Sequence, residues 1–144
     1  MKLYTIGFTK KNSRQFFELL LKNQVNTVFD VRLNNNSQLA GFTKASDLPY
    51  FLEKIGNIRY VHWTKVAPTK ELLDKWQKKE ITWQEYEDQY LAMLEKRSIL
   101  ETCDIKQLDN GCLLCSEPTV EQCHRRLLAD HLKKNIPDLE IIHL

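Results

Sequence analysis

The chain has 144 residues, 42% of them hydrophobic and 28% charged, with a formal net charge of +2 at pH 7. That length suits one domain, residues 1–144, with its own core, and the near-balanced charge lacks the basic excess or stripe of a chain built around nucleic-acid phosphates. No apolar run approaches a membrane span, Tyr4–Phe8 is too short for the apolar core of a signal peptide, and four cysteines without a secretory signal are expected to stay reduced in the cytoplasm.

Leu3-Tyr4-Thr5-Ile6 is a short β-type run closed by Gly7. Asn12 or Ser13 can cap a helix whose Phe16, Phe17, Leu20 and Leu21 form one apolar face. Val25–Val31 reads as a second strand, and the alternation of strand side chains puts Asp30 and Arg32 on the same side. The spacing leaves room for the helix between the strands, hence a βαβ unit. Leu33–Ala45 is polar and reads as a loop, with Phe42 its only large aromatic residue. A short helix over Asp47–Ile55, stopped by Gly56, leads to a third strand over Ile58–Trp63. Leu72, Leu73 and Trp76 mark a helix from Thr69. Thr82 with Glu85 forms a capping box for a longer helix reaching about Leu100. Glu101–Asn110 connects it to the apolar run from Gly111, a fourth strand.

That run opens a stretch holding three of the four cysteines, from Gly111 to Leu132. Thr119 with Gln122 matches another capping box, so a helix is expected from about Val120, with Val120, Leu127, Leu128 and Leu132 at helical spacing. Pro137 ends it, and Leu139–His143 is a final strand. Strands alternating with helices predict an α/β domain: a mostly parallel central sheet flanked by helices. The carboxyl ends of such strands share one edge, where open α/β sheets place ligands. Gly7-Phe8-Thr9, Asp30 with Arg32, His62-Trp63 and Cys115-Ser116-Glu117 would meet there, with Cys123 and His124 in the first turns of the last helix.

Thr5-Ile6-Gly7-Phe8-Thr9, Asp30-Val31-Arg32 and Leu113-Leu114-Cys115-Ser116-Glu117 with Cys123-His124-Arg125 together resemble the family catalogued as domain of unknown function 488. The loop from Ser37 to Phe42 and the Tyr60 strand are also similar, so the resemblance covers nearly the whole chain. It implies a compact α/β domain and a suspected enzyme, with no particular reaction. The family's usual His and Ser in the first motif are replaced by Phe8 and Thr9, which leaves any proton chemistry of that His to His62 or His124.

Cys115 is the first candidate nucleophile, because a thiol at a strand end can gain thiolate character from a nearby cation or helix N-terminus. The competing reading is a small buried strand residue. Cys123 and His124, early in a helix, either join the site or face the core. Arg125 either holds an anion bidentately or pairs on the surface with Glu121 or Asp130. Asp30 and Arg32 form an ion pair that orients a substrate or the thiol, or one that is only structural. Glu117 is a general acid/base or a capping carboxylate.

Cys112 and Cys115, three apart on a strand, face opposite sides about 10 Å apart, which excludes a disulfide between them. A Cys115–Cys123 pair stays open. Cys115, Cys123 and His124 could supply three zinc ligands, but their spacing departs from the common structural patterns, so no metal or other cofactor is expected. The Cys-x5-Arg anion cradle is absent, since Glu121 is six residues after Cys115 and Arg125 ten. Trp76, Trp83, Tyr86 and Tyr90 at helical spacing read as core rather than a base-stacking platform.

The leading expectation is a cysteine-dependent hydrolase or transferase acting on a small anionic or nucleotide-like substrate. Cys115 would be the nucleophile, His124 or Glu117 the proton carriers, and Asp30, Arg32, Cys123, Arg125 and Thr9 the substrate-binding residues. The alternatives are a nucleic-acid-binding module using basic residues and Arg32, or an interaction module with a broad exposed apolar patch.

Overall fold

In a computed structural model, which describes residues 1–35, 41–117 and 120–144, the apolar runs become five strands. They are β1 (Lys2–Gly7), β2 (Thr27–Asp30), β3 (Arg59–His62), β4 (Gly111–Cys115) and β5 (Glu140–His143). The helices are α1 (Ser13–Lys22), α2 (Leu48–Gly56), α3 (Lys70–Gln77), α4 (Trp83–Lys96), α5 (Ile99–Thr102) and α6 (His124–Asn135). All strand pairs are parallel and the order is β3-β2-β4-β1-β5. This is the expected α/β domain. Parallel sheets are covered on both faces, and β2 and β4 are buried along their whole length while β3 and β5, at the edges, are only partly covered. Among the described residues no helix is long and apolar enough to cross a membrane.

The two faces carry separate cores. Tyr4, Ile6, Val28, Cys112 and Leu114 pack against Phe16, Phe17 and Leu20 of α1 and Leu48 and Leu52 of α2. Leu3, Phe29, Val31, Leu113 and Cys115 pack against Leu72 of α3, Tyr86, Tyr90 and Leu94 of α4 and Leu127, Leu128 and Leu132 of α6. Cys112 and Cys115 thus occupy opposite faces, as strand alternation requires.

Local signals set most element boundaries. Asn12 caps α1 in a reciprocal box with Gln15, and Thr82 caps α4 with Glu85. Three expectations are corrected. Gly56 does not stop α2: it is the last helical residue, and Asn57 takes the left-handed turn at φ 52°. Gly56 is needed for space, since a Cβ there would come within 2.6 Å of Leu21 Cδ2. The long helix breaks after Lys96, because Ser98 adopts φ 51°, and α5 follows as a separate turn. Finally, α6 starts at His124 with Cys123 as N-cap, not near Val120. The carbonyls of Val120 and Glu121 accept hydrogen bonds from the Arg126 guanidinium (3.1 and 3.3 Å), which holds this segment as a turn ahead of the helix. Thr119, expected to cap a helix, and the family-like positions 37–40 lie outside the described residues.

Candidate functional site

The register places Gly7 opposite Cys115 and Asp30 opposite both Leu114 and His62. The carboxyl ends of four strands therefore share one rim, as the expected sheet demanded. Cys115 ends β4, and Ser116 and Glu117 continue across the end of β1, with the Thr9 N–H donating to the Ser116 carbonyl (3.1 Å). That crossing requires Gly7: a Cβ there would overlap the Glu117 carbonyl and meet Arg125 Nη1 at 2.9 Å.

Cys115 and Cys123, both free, bring their sulfurs to 2.6 Å. Arg125, fully buried, sends Nη1 to Cys115 Sγ (3.1 Å), Cys123 Sγ (3.6 Å) and the Glu117 carbonyl (2.6 Å), and Nε to Thr5 Oγ1 (3.4 Å). Thr5 Oγ1 bonds in turn to His143 Nδ1 (2.7 Å). None of the partners described for Arg125 is a carboxylate. A buried guanidinium without a counter-ion is costly, and the group able to supply the negative charge is the Cys115 sulfur. Burial pushes the Cys115 thiol up. The hydrogen bond from Cys123, the charges of His124 and Arg125, and the Arg125 hydrogen bond outweigh it and bring the thiol down to about 6. Cys123, which gives its hydrogen to Cys115, moves up instead, with burial adding to the effect. Burial alone raises Cys112.

Cys115 is 1% exposed, yet it is not sealed in hydrocarbon. It lies in the floor of a cleft of about 180 Å³, whose lining includes Arg32, Trp76, Trp83, Glu117, Cys123 and His124. Phe8, Tyr86 and Ser116 also line it. Trp83 stacks on Tyr86 (ring centroids 5.0 Å, 16° between planes) and meets Trp76 edge-on (5.2 Å). Tyr86 in turn stacks on Tyr90, whose ring meets His124 edge-on (5.7 Å). His124 Nε2 donates to the Val31 carbonyl (2.8 Å), so Nδ1 is the nitrogen able to exchange a proton.

Asp30 and Arg32 make the ion pair that strand alternation called for. Asp30 Oδ1 accepts Arg32 Nε (2.8 Å), and Oδ2 accepts Arg32 Nη2 (2.7 Å) and the Tyr60 hydroxyl (2.6 Å). Burial first, then the bond to Asp30, pushes Tyr60 up. Arg32 Nη2 also donates to the Thr43 carbonyl (2.6 Å). Nη1 is buried and has no hydrogen-bond partner among the described residues.

The expected site residues therefore separate. Cys115, Glu117, Cys123, His124 and Arg32 line the cleft. Asp30 does not; it shares the α1–α2 face with Val28 and reaches the cleft only through Arg32. Arg125 lies behind the sulfurs rather than in the lining, and it is Arg126 that pairs with Asp130 (3.2 Å). Thr9 is exposed and outside the lining. His62 is tied to the Arg32 carbonyl (2.9 Å) and Asn35 Nδ2 (3.2 Å). Cys123 makes no side-chain cap bond to α6, and Glu117 is too far ahead of that helix in the chain to be its N-cap. Trp76 and Trp83, expected in the core, are half-buried walls of the cleft, while Tyr86 and Tyr90 are core. Sequence reasoning gave no role to Thr5 or Tyr60, although both lie in segments that carry the family resemblance. A lone threonine within an apolar strand was a further signal for the first. Among the described residues no group of three or more His, Cys, Asp or Glu has the arrangement of a metal site.

A family model described as "Domain of unknown function DUF488" matches residues 12–132. No curated protein and no solved structure matches the chain.

Proposed function

The chain belongs to that family, and we propose that it is a cysteine-dependent enzyme, a hydrolase or transferase, acting on a small nucleotide-like substrate in the cleft at the carboxyl edge of the sheet. The observation that carries this reading is the buried Arg125 guanidinium donating to Cys115 Sγ at 3.1 Å with no carboxylate among its described partners. A core has no packing reason to bury a cation against a thiol. A thiolate held ready for attack is a chemical one.

In this reading the Cys115 sulfur forms a bond to an electrophilic carbon of the substrate, and the leaving group departs with its electron pair. Glu117, exposed in the lining, or His124 through Nδ1 supplies the proton that the leaving group takes. Cys123 and Arg125 donate to the sulfur before attack and release it as its charge is spent. Arg32 faces the substrate.

Alkylation of the native chain by iodoacetamide, read by peptide mass spectrometry, tests this. Cys115 is expected to react first at pH 6–7, with a rate that reaches half its maximum near pH 6. Cys103, whose thiol burial pushes up, reacts slowly there. Cys115 reacting no faster than Cys103 across that range would remove the proposal.

A further inference from the structure

The cleft also bears on what the substrate is. Resting on the cysteine-enzyme reading, we infer that the cleft takes an uncharged planar heteroaromatic ring with a ring carbonyl, a free nucleobase or its nucleoside, stacked on the Trp76–Trp83 wall with its carbonyl oxygen on Arg32 Nη1.

Size comes first. About 180 Å³ is below the 300–1,000 Å³ of sites for drug-sized ligands, so the cleft holds one ring system and not a dinucleotide or peptide. Its walls are next. Trp76 and Trp83 are half-buried and present indole to the cleft, backed by Tyr86, while Phe8 of the opposite core completes the lining. Aromatic walls on a narrow cleft favour a flat ring, through offset or edge contacts.

Charge then disfavours the anion. The two buried arginines are already neutralised, Arg32 by Asp30 and Arg125 by the Cys115 thiolate. Among the described residues no lysine lines the cleft, its carboxylate is Glu117, and its remaining basic group is the His124 imidazole, whose Nε2 is already tied to the Val31 carbonyl. A phosphate would meet no uncompensated arginine or lysine there and would face Glu117. The remaining need is specific: Arg32 is 5% exposed, lines the cleft, and has one nitrogen, Nη1, whose hydrogens meet no partner among the described residues. Neutral pairing with Asp30 makes a carbonyl oxygen, rather than a full anion, its natural acceptor. Buried donors are very rarely left unpaired.

The test is tryptophan-fluorescence titration of the full wild-type chain, whose Cys115 thiolate keeps Arg125 paired. The probes are uracil, hypoxanthine, uridine, uridine monophosphate and unsubstituted pyrimidine. Saturable quenching by uracil or hypoxanthine is expected, weaker for pyrimidine by on the order of tenfold to a hundredfold, since pyrimidine lacks the carbonyl that meets a charged donor. Trp83→Leu should weaken uracil binding to a similar degree, and the phosphate of uridine monophosphate should add nothing. No saturable binding of either carbonyl-bearing base, or tighter binding of the monophosphate than of uridine, overturns the inference. So does a single-stranded oligonucleotide that binds more tightly than the free base with a steep salt dependence, which would move the ring to a nucleic acid. Because ligand binding is read without alkylation, and thiol reactivity without ligand, failure here leaves the Cys115 alkylation result standing, and the converse holds.

Discussion

Replacing Arg125 by leucine removes the fully buried cation beside Cys115 while leaving the site enclosed. The thiol then keeps the burial that pushes it up and the Cys123 hydrogen bond and His124 charge that pull it down, and loses both the charge and the hydrogen bond of Arg125. It should move up from about 6, with the ordinary thiol value of about 8.5 as the limit. At that limit the thiolate fraction at pH 6 falls from about one half to about 0.3%, a loss of roughly 150-fold. The higher-pKa thiolate is intrinsically the better nucleophile, by about tenfold over this interval. At that limit alkylation of Cys115 is slowed by somewhat more than tenfold at pH 6, and by less for a smaller upward move. The deficit should vanish near about pH 7.5, above which the more nucleophilic variant reacts faster, and the midpoint of the rate–pH profile should move up by as much as about two and a half pH values. Iodoacetamide kinetics between pH 5 and 9.5 measure both quantities, with Arg125→Lys expected to fall between. Circular dichroism confirms that each variant is folded. A folded Arg125→Leu chain whose midpoint stays near 6 would show that Arg125 is not what holds the thiolate, and the reasoning for the site would fail.

Gly7→Ala forces a methyl group into the Glu117 carbonyl, so the loop after β4 must move; a loss of about 1–3 kcal/mol in urea unfolding should accompany loss of the low-pH alkylation of Cys115. Because the folded-state value of Cys115 lies below its unfolded value, its contribution to stability is complete above about 8.5 and is lost as pH falls through about 6. The urea midpoint of the wild type should therefore rise relative to Cys115→Ser between those limits. Cys103, Cys112 and Cys123, all pushed up in the folded chain, ionise in the unfolded chain as pH nears about 8.5, and because both proteins carry them their effect cancels in the comparison. A mild thiol oxidant such as diamide should join Cys115 to Cys123, whose sulfurs are 2.6 Å apart, and leave Cys112 on the other face of the sheet as a thiol; peptide mapping that links Cys112 would contradict the register.

By itself the sequence determined the succession of strands and helices, the parallel sheet, the opposite facing of Cys112 and Cys115, the Asp30–Arg32 pair and two of the capped helix starts. These follow from periods of two and 3.6 and from side chains that reach only a few residues along the chain. The tertiary structure alone decided where the long side chains end. Arg125 is ten residues from Cys115, a spacing without meaning until the 116–123 turn folds back and α6 packs on β1 and β4. Packing also drew Cys123 out of the helix to cap it against Cys115. Trp76 and Trp83 read as core from helical spacing, because periodicity tells which face is apolar and not whether a neighbouring layer stops short of covering it. Asp30 shares the rim yet stays outside the cleft, because one strand has two faces and the cleft opens on both through Arg32 and Phe8 but receives no oxygen of that carboxylate. Distances between segments far apart in the chain are set by how the layers close over one another, and no local pattern encodes them.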